Sequence, residues 1–255
     1  RNDEERYLMR HIEDLARTAS SRGIARYSGF LSDREQQLAQ AALNRTDMPE
    51  DEIRFDGGWP GAERKLLCLE PVDSYPASPL CCVRLQCRAL PGAQLPVHKD
   101  YLGSLMGLEL RREALGDIVL PEDQLGVAYV FALEPAAELI CQELRQAGHT
   151  DLTAEMQPLE TLPAFPQAER PRQTATVSSL RLDAVLAAML RCSRGMAAEL
   201  VTAGRVEINH LPAESVHAPV YEDDVFTVRG KGRFQLTALP GKSKKDRLII
   251  EYFQY

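Results

Sequence analysis

Between Ser179 and Leu236 the spacing of apolar residues changes period within one short stretch, and that change leaves few folds open. Leu182, Val185, Leu186, Met189 and Leu190 recur at three- and four-residue steps, which places them on one face of a helix. Ser193 is suited to cap a second helix with an apolar stripe of Ala197, Leu200 and Val201, and Gly204 to end it. After Gly204 the period falls to two: Val206, Ile208, Val225 and Val228 alternate with polar residues, as in half-buried strands of a small sheet. Basic residues mark the joints of this unit, with Arg181 in the first turn, Arg194 at the next helix start and Arg205 just past it. A glycine-spaced basic turn follows, Arg229-Gly230-Lys231-Gly232-Arg233. A helix pair and a small sheet edged with arginine suit a phosphate-rich partner, because guanidinium groups offer planar, multidentate donors to phosphate.

The string Arg181-Leu182-Asp183, Ser193-Arg194, Ala197, Leu200-Val201, Gly204, Val206, Asn209, Asp224, Val228 resembles an S4 RNA-binding domain of the αL type. Further motifs extend the likeness over nearly the whole chain. They are Arg26-Tyr27-Ser28-Gly29-Phe30-Leu31, the turn from Gly57-Gly58-Trp59-Pro60-Gly61 to Arg64, His98-Lys99-Asp100-Tyr101-Leu102-Gly103 and Leu115-Gly116-Asp117-Ile118. With the ending Val228 to Phe234, they make the chain similar to the bacterial YlmH family. That resemblance implies a protein without enzymatic activity that binds structured RNA, rRNA and tRNA, on the large ribosomal subunit. Its setting would be ribosome-associated quality control, where related S4 factors hold peptidyl-tRNA on a stalled subunit. The expected RNA-binding residues are Arg181, Ser193, Arg194, Arg205, Asn209, Arg229, Lys231 and Arg233. Where many S4 domains follow the asparagine with glycine and a basic residue, this chain carries His210-Leu211-Pro212.

A formal net charge of −7 looks wrong for an RNA binder until it is divided. From Arg170 onward there are 13 lysines and arginines against 9 acids, a net +4; residues 1–169 hold 17 against 28, a net −11. Such asymmetry is expected when one module meets nucleic acid and the rest does not. No apolar run approaches the roughly 18 residues of a membrane span, and no signal-peptide pattern opens the chain. The six cysteines form no CxxC pair and no histidine stands at zinc spacing from them, so they read as core residues of a protein in a reducing cytoplasm. No metal, nucleotide or organic cofactor is expected, and the working form is expected to be a monomer.

The expected fold class is α+β and multidomain: a mixed N-terminal domain over 1–76, a middle domain over 77–162, a linker over 163–176 and the S4 domain with a final strand over 177–255. Near the start, Tyr7, Leu8, His11, Ile12 and Leu15 form an amphipathic stripe, and Ser32 with Glu35 sets a capping box for a helix over 33–44. The turn at Gly57–Gly61 holds the single tryptophan, Trp59, which either anchors the loop by burial or meets a partner. Residues 79–165 read β-α-β-β-α-β, with helices over 98–108 and 136–147; this is the ferredoxin-like order that RRM domains share. An RRM displays aromatic side chains on its central strands for base stacking. Here only Tyr129 and Phe131 are offered, so sequence-specific reading by this sheet is not expected. The basic string from Gly241 to Lys245 is a hairpin tip that either meets phosphate or is simply solvated.

Catalysis finds no support in these residues. Asp183 sits in a string like that of pseudouridine synthases, but only about twenty residues follow the S4 unit where those enzymes carry a catalytic domain. Near a helix start, Asp183 is better explained by the helix dipole or by fixing Arg181. His98, Lys99 and Asp100 are adjacent on one helix and cannot converge on a point. Two functions from different classes therefore stand: a ribosome-binding quality-control factor, and a protein-interaction adaptor, for example of the division machinery, with S4 as a minor RNA anchor. Because neither arginine belongs to an apolar stripe, removing Arg181 and Arg194 is expected to spare the fold.

Overall fold

The computed structural model describes residues 2–88, 94–165, 171–209, 211–243 and 246–255. The chain divides into two compact units, Arg1–Gln167 and Ala168–Tyr255. The first begins with α1 (Asn2–Arg22), β1 (Arg26–Leu31), α2 (Asp33–Leu43), β2 (Ile53–Asp56) and β3 (Lys65–Leu69). The three strands form an antiparallel sheet in the order β1-β3-β2. The Glu35 carboxylate accepts from both the backbone N–H and the hydroxyl of Ser32, each at 2.7 Å, which fixes the start of α2 as its sequence suggests. The buried stripe of α1 is Ile12, Ala16 and Ala19. Tyr7, expected on that stripe, is 74% exposed and stacks on His11 instead. Two alanines let the helix approach its neighbours closely, and the bulkier tyrosine is turned outward.

The second part of this unit holds β4 (Leu80–Cys87), α3 (His98–Met106), β5 (Leu115–Val119), β6 (Val127–Leu133), α4 (Glu134–Glu143), β7 (Gln146–Ala147) and β8 (Thr150–Gln157). Its sheet order is β5-β6-β4-β8-β7, antiparallel throughout, so the four main strands adopt the ferredoxin-like arrangement. Helix α4 is shorter than its apolar pattern predicts. Pro135 lies in its first turn, and at Leu144 the backbone leaves the helical region. Gln146 and Ala147 then pair with Asp151 and Thr150 across a turn at Gly148, whose φ of 59° favours glycine. Strand pairing at the sheet edge thus outcompetes the helical propensity of the last residues of the expected 136–147 segment.

The two sheets of this unit share a core. One face of the three-stranded sheet, with Leu31, Leu67 and Leu69, packs on α1 and α2. The other, with Phe30, Leu66 and Cys68, packs on Cys82, Tyr129 and Phe131 of the five-stranded sheet. The segments expected as domains 1–76 and 77–162 are therefore joined in one compact unit. The linker expected over 163–176 is ordered at both described ends: Phe165 joins this shared core, and 173–176 belong to a strand of the second unit; 166–170 lie outside the described residues.

The second unit runs β9 (Gln173–Val177), α5 (Leu182–Leu190), α6 (Arg194–Thr202), β10 (Val206–Ile208), β11 (Leu211–Pro212), β12 (Val225–Val228), β13 (Gly232–Lys242) and β14 (Leu248–Gln254). Its sheet has the order β11-β10-β12-β13-β14-β9. The apolar stripes of α5 and α6 meet Val206, Phe226, Val228, Phe234, Leu236, Ile250 and Tyr252 in one core on a single face of that sheet. Ser193 caps α6 by accepting from Met196 N–H at 3.1 Å, and Gly204 leaves it at a φ of 65°. Arg191, between the helices, is left-handed at a φ of 52°, which turns the chain sharply from one helix into the next.

Candidate nucleic-acid interface

The expected RNA contacts fall into separate groups. At the starts of α5 and α6, the Asp183 carboxylate ties two arginines together. Arg181 Nε reaches Asp183 Oδ1 at 3.1 Å and Arg181 Nη2 reaches Oδ2 at 3.1 Å, a bidentate pair; Arg194 Nη2 donates to the same Oδ2 at 3.0 Å. Arg181 also contacts Nδ1 of His217. The Asp183 side chain is 8% exposed, whereas those of Arg181 and Arg194 are 41% and 50% exposed. Burial disfavours the ionised carboxyl, but the hydrogen bonds from Arg181 and the charge of Arg194 outweigh it and hold its pKa below the usual carboxylate range. The two guanidinium groups are thus fixed at one end on a buried anion and open to solvent at the other.

The dipole end of α5 is not open to an anion, because Leu182 N–H and Asp183 N–H donate to the carbonyls of Ala218 and Val216 at 3.0 and 3.1 Å. The return loop supplies these acceptors, so recognition at this point falls to side chains. Deleting both Arg181 and Arg194 would remove the counter-charges of a nearly buried carboxylate, so the double variant is expected to cost stability as well as binding. Asp183 was legible as a partner for Arg181; its bond to Arg194 and the approach of His217 were not, since they join residues 11 and 36 positions apart.

A second group lies at the hairpin between β12 and β13. Arg205 Nη2 donates to the Arg229 carbonyl at 3.0 Å, and Arg229 N–H donates to the Arg205 carbonyl at 2.9 Å. Lys231 is exposed between Gly230 and Gly232, whose φ values of 80° and 106° explain the glycine spacing. Arg233 is apart from these. Its neighbour Phe234 enters the core, so Arg233 projects from the opposite sheet face, where its guanidinium lies 4.0 Å above the ring of Tyr255. Asn209 has both ends of its amide committed internally: Nδ2 donates to Asp224 Oδ1 at 2.8 Å and Oδ1 accepts from Val225 N–H at 2.9 Å. With a φ of 48°, it is a turn residue clasped to the start of β12. His210, and Lys244 and Lys245 of the basic string, lie outside the described residues.

In the first unit the motif residues weld its two sheets. Asp117 accepts from Trp59 Nε1 at 3.2 Å, Glu63 N–H at 2.8 Å and Arg64 N–H at 3.1 Å. Arg64 in turn donates to the carbonyls of Leu115, Phe30 and Arg112. Trp59 stands edge-on to Phe165, and a Cβ on Gly58 would lie 2.5 Å from the Phe131 ring. Trp59 is therefore a loop anchor. The RRM-like stacking surface is also closed: Tyr129 and Phe131 are buried where the three-stranded sheet covers them, so this face is unable to stack bases. Among the described residues, no helix is long and apolar enough to cross a membrane.

A helix pair on a small sheet, with arginines ordered at the helix starts, defines the second unit as the RNA-binding module of an S4-domain protein, and the S4 domain family matches residues 180–226. Ribosome-associated protein quality control protein P2 of Bacillus subtilis (strain 168) is 33% identical over 255 residues, spanning 99% of this chain and 95% of its own length. The chain belongs to the YlmH family. Among solved structures, a Streptococcus pneumoniae protein described as cell division protein ylmH aligns over 63% of this chain and 95% of its own at 13% identity, with a TM-score of 0.48.

Proposed function

We propose that the protein grips the backbone of structured RNA on the large ribosomal subunit, rRNA together with tRNA, and acts in quality control of stalled peptidyl-tRNA. The observation that carries this reading is the pair of half-exposed guanidinium groups held by buried Asp183 at adjacent helix starts. Such groups are already ordered before binding, so less side-chain entropy is lost when each meets a phosphate. The name of the Bacillus subtilis relative supports the ribosomal setting. The net charge of −11 over residues 1–169 supports RNA contact through the second unit rather than the first.

The test is sedimentation of cell extract through a sucrose gradient. The wild-type chain is expected to co-migrate with free large subunits. A triple variant, Arg181→Ala and Arg194→Ala on Asp183→Asn, leaves no buried charge unpaired and is expected to stay near the top. Full co-migration of a folded triple variant would remove this site. An adaptor reading, in which the acidic first unit binds protein, instead requires the wild-type chain to stay away from free subunits.

A further inference from the structure

Between β11 and β12 the chain passes the start of α5 and is pinned there on both sides of one residue. The carbonyls of Val216 and Ala218 accept from Asp183 and Leu182 N–H at 3.1 and 3.0 Å, and Val220 N–H donates to the Leu180 carbonyl at 3.1 Å. The same stretch is closed on itself. His217 N–H donates to Ser215 Oγ at 3.2 Å and Ala218 N–H to the Ser215 carbonyl at 3.1 Å. His217 is thus exposed on a fixed backbone beside the paired arginines.

Its ring turns toward them. Nδ1 meets Arg181 Nη2, the nitrogen that also bonds Asp183 Oδ2. A guanidinium N–H only donates, so Nδ1 accepts and the imidazole carries its proton on Nε2. That Nε2 has no bond to another described residue. Arg181 has its Nε and Nη2 committed to Asp183 and His217. The donors left for a ligand are Arg181 Nη1, the rest of the Arg194 guanidinium and His217 Nε2–H.

We propose that His217 is an RNA-contact residue of this site, an uncharged donor whose Nε2–H bonds a backbone oxygen of the RNA, phosphate or ribose 2′-hydroxyl. This rests on the reading of the Asp183-held arginines as an RNA grip and adds a donor of a different kind. An arginine on a phosphate releases counterions, so its contribution fades as salt rises. A neutral imidazole N–H releases none, so its contribution persists. Arg181 sets the tautomer and holds the ring before RNA arrives, which lowers the cost of ordering it.

The test titrates the full chain with a short fluorescent RNA hairpin and with the same hairpin carrying 2′-fluoro riboses, at about pH 8 where imidazole is neutral. His217→Ala is expected to bind the RNA hairpin about three- to tenfold more weakly, the worth of one neutral hydrogen bond. Its melting temperature and its slope of log affinity against log salt are expected to match wild type. Arg194→Ala is expected to make that slope shallower by about one. His217→Gln, whose amide reaches the place of Nε2, is expected to regain most of the lost affinity, and His217→Asn, which reaches only the place of Nδ1, none of it. An equal loss on both hairpins supports contact with phosphate, and a loss confined to the ribose form supports contact with the 2′-hydroxyl. Wild-type affinity in His217→Ala would overturn the proposal. Recovery by asparagine and not by glutamine would do so too, because His217 would then only support Arg181. A shallower slope in folded His217→Ala would show that the ring binds as a cation, against the proposal. Should His217→Ala unfold, the comparison of glutamine with asparagine decides. Failure of wild type to bind either hairpin would remove the RNA grip and this contact together, whereas loss in Arg194→Ala with none in His217→Ala removes this contact alone.

Discussion

Replacing Asp183 by asparagine keeps the shape of the side chain and removes its charge, so it isolates what the carboxylate does for Arg181 and Arg194. The variant loses charge-assisted bonds to two half-exposed guanidinium groups, which water is able to solvate in part. The expected destabilisation is about 1–3 kcal/mol, read as a lower melting temperature. Because the Asp183 pKa is lowered in the folded state, its stabilisation is complete above the unfolded value of about 4 and is lost as pH falls through the folded value. Acid unfolding of wild type is therefore expected to steepen below about pH 4 relative to Asp183→Asn; coincident slopes would refute the assignment. For Arg194→Ala, which leaves the bidentate Arg181–Asp183 pair intact, the expected loss is about 1.5–3 kcal/mol of RNA affinity with little change in melting. At this scale the sequence was readable only in part. The residue types and their positions at helix starts could be named, but which arginine shares which oxygen depends on where the 216–218 loop returns.

At the scale of elements, Asp117 is the clearest lever on the first unit. Asp117→Ala removes three hydrogen bonds that hold the turn around Trp59. The expected cost is about 2–4 kcal/mol, since two of the donors are backbone groups left to find water. Trp59 is the single tryptophan, so a red shift of its emission on this substitution reports directly on the turn. An unchanged spectrum with unchanged melting would show that the turn does not depend on Asp117. Helix and strand existence was legible from period throughout most of the chain. Ends were not. The last turn expected for α4 became an edge strand, and part of the expected linker became β9, because a strand's place is settled by its partner and not by its own residues.

For the whole molecule, the prediction concerns salt. Five cationic residues, Arg181, Arg194, Arg205, Arg229 and Lys231, remain at the expected contacts once Arg233 is set aside, and they imply a log–log slope of RNA affinity against salt of about −3.5 to −4.5 by counterion release. A flat response, measured by titration of binding between low and physiological salt, would remove phosphate contact as the source of affinity. The second unit has its own core, so residues 168–255 alone are expected to melt cooperatively and to keep most of that slope.

The switch of period from 3.6 to 2 between Ser179 and Leu236 determines by itself that two helices precede a small sheet, since each face must be buried on the other. Charge likewise marks residues 170–255 as the part suited to a phosphate-rich partner, because the excess of Lys and Arg over acids is a property of composition alone. Tertiary structure decided the rest. Base reading by the RRM-like sheet is not expected from its few aromatics, but that a second sheet covers Tyr129 and Phe131 is seen only in the fold, and Arg233 reads as one more phosphate contact until strand alternation sends it to the far face. In both cases the deciding fact is which surface another element occupies. That depends on long-range packing, and local period carries no trace of it.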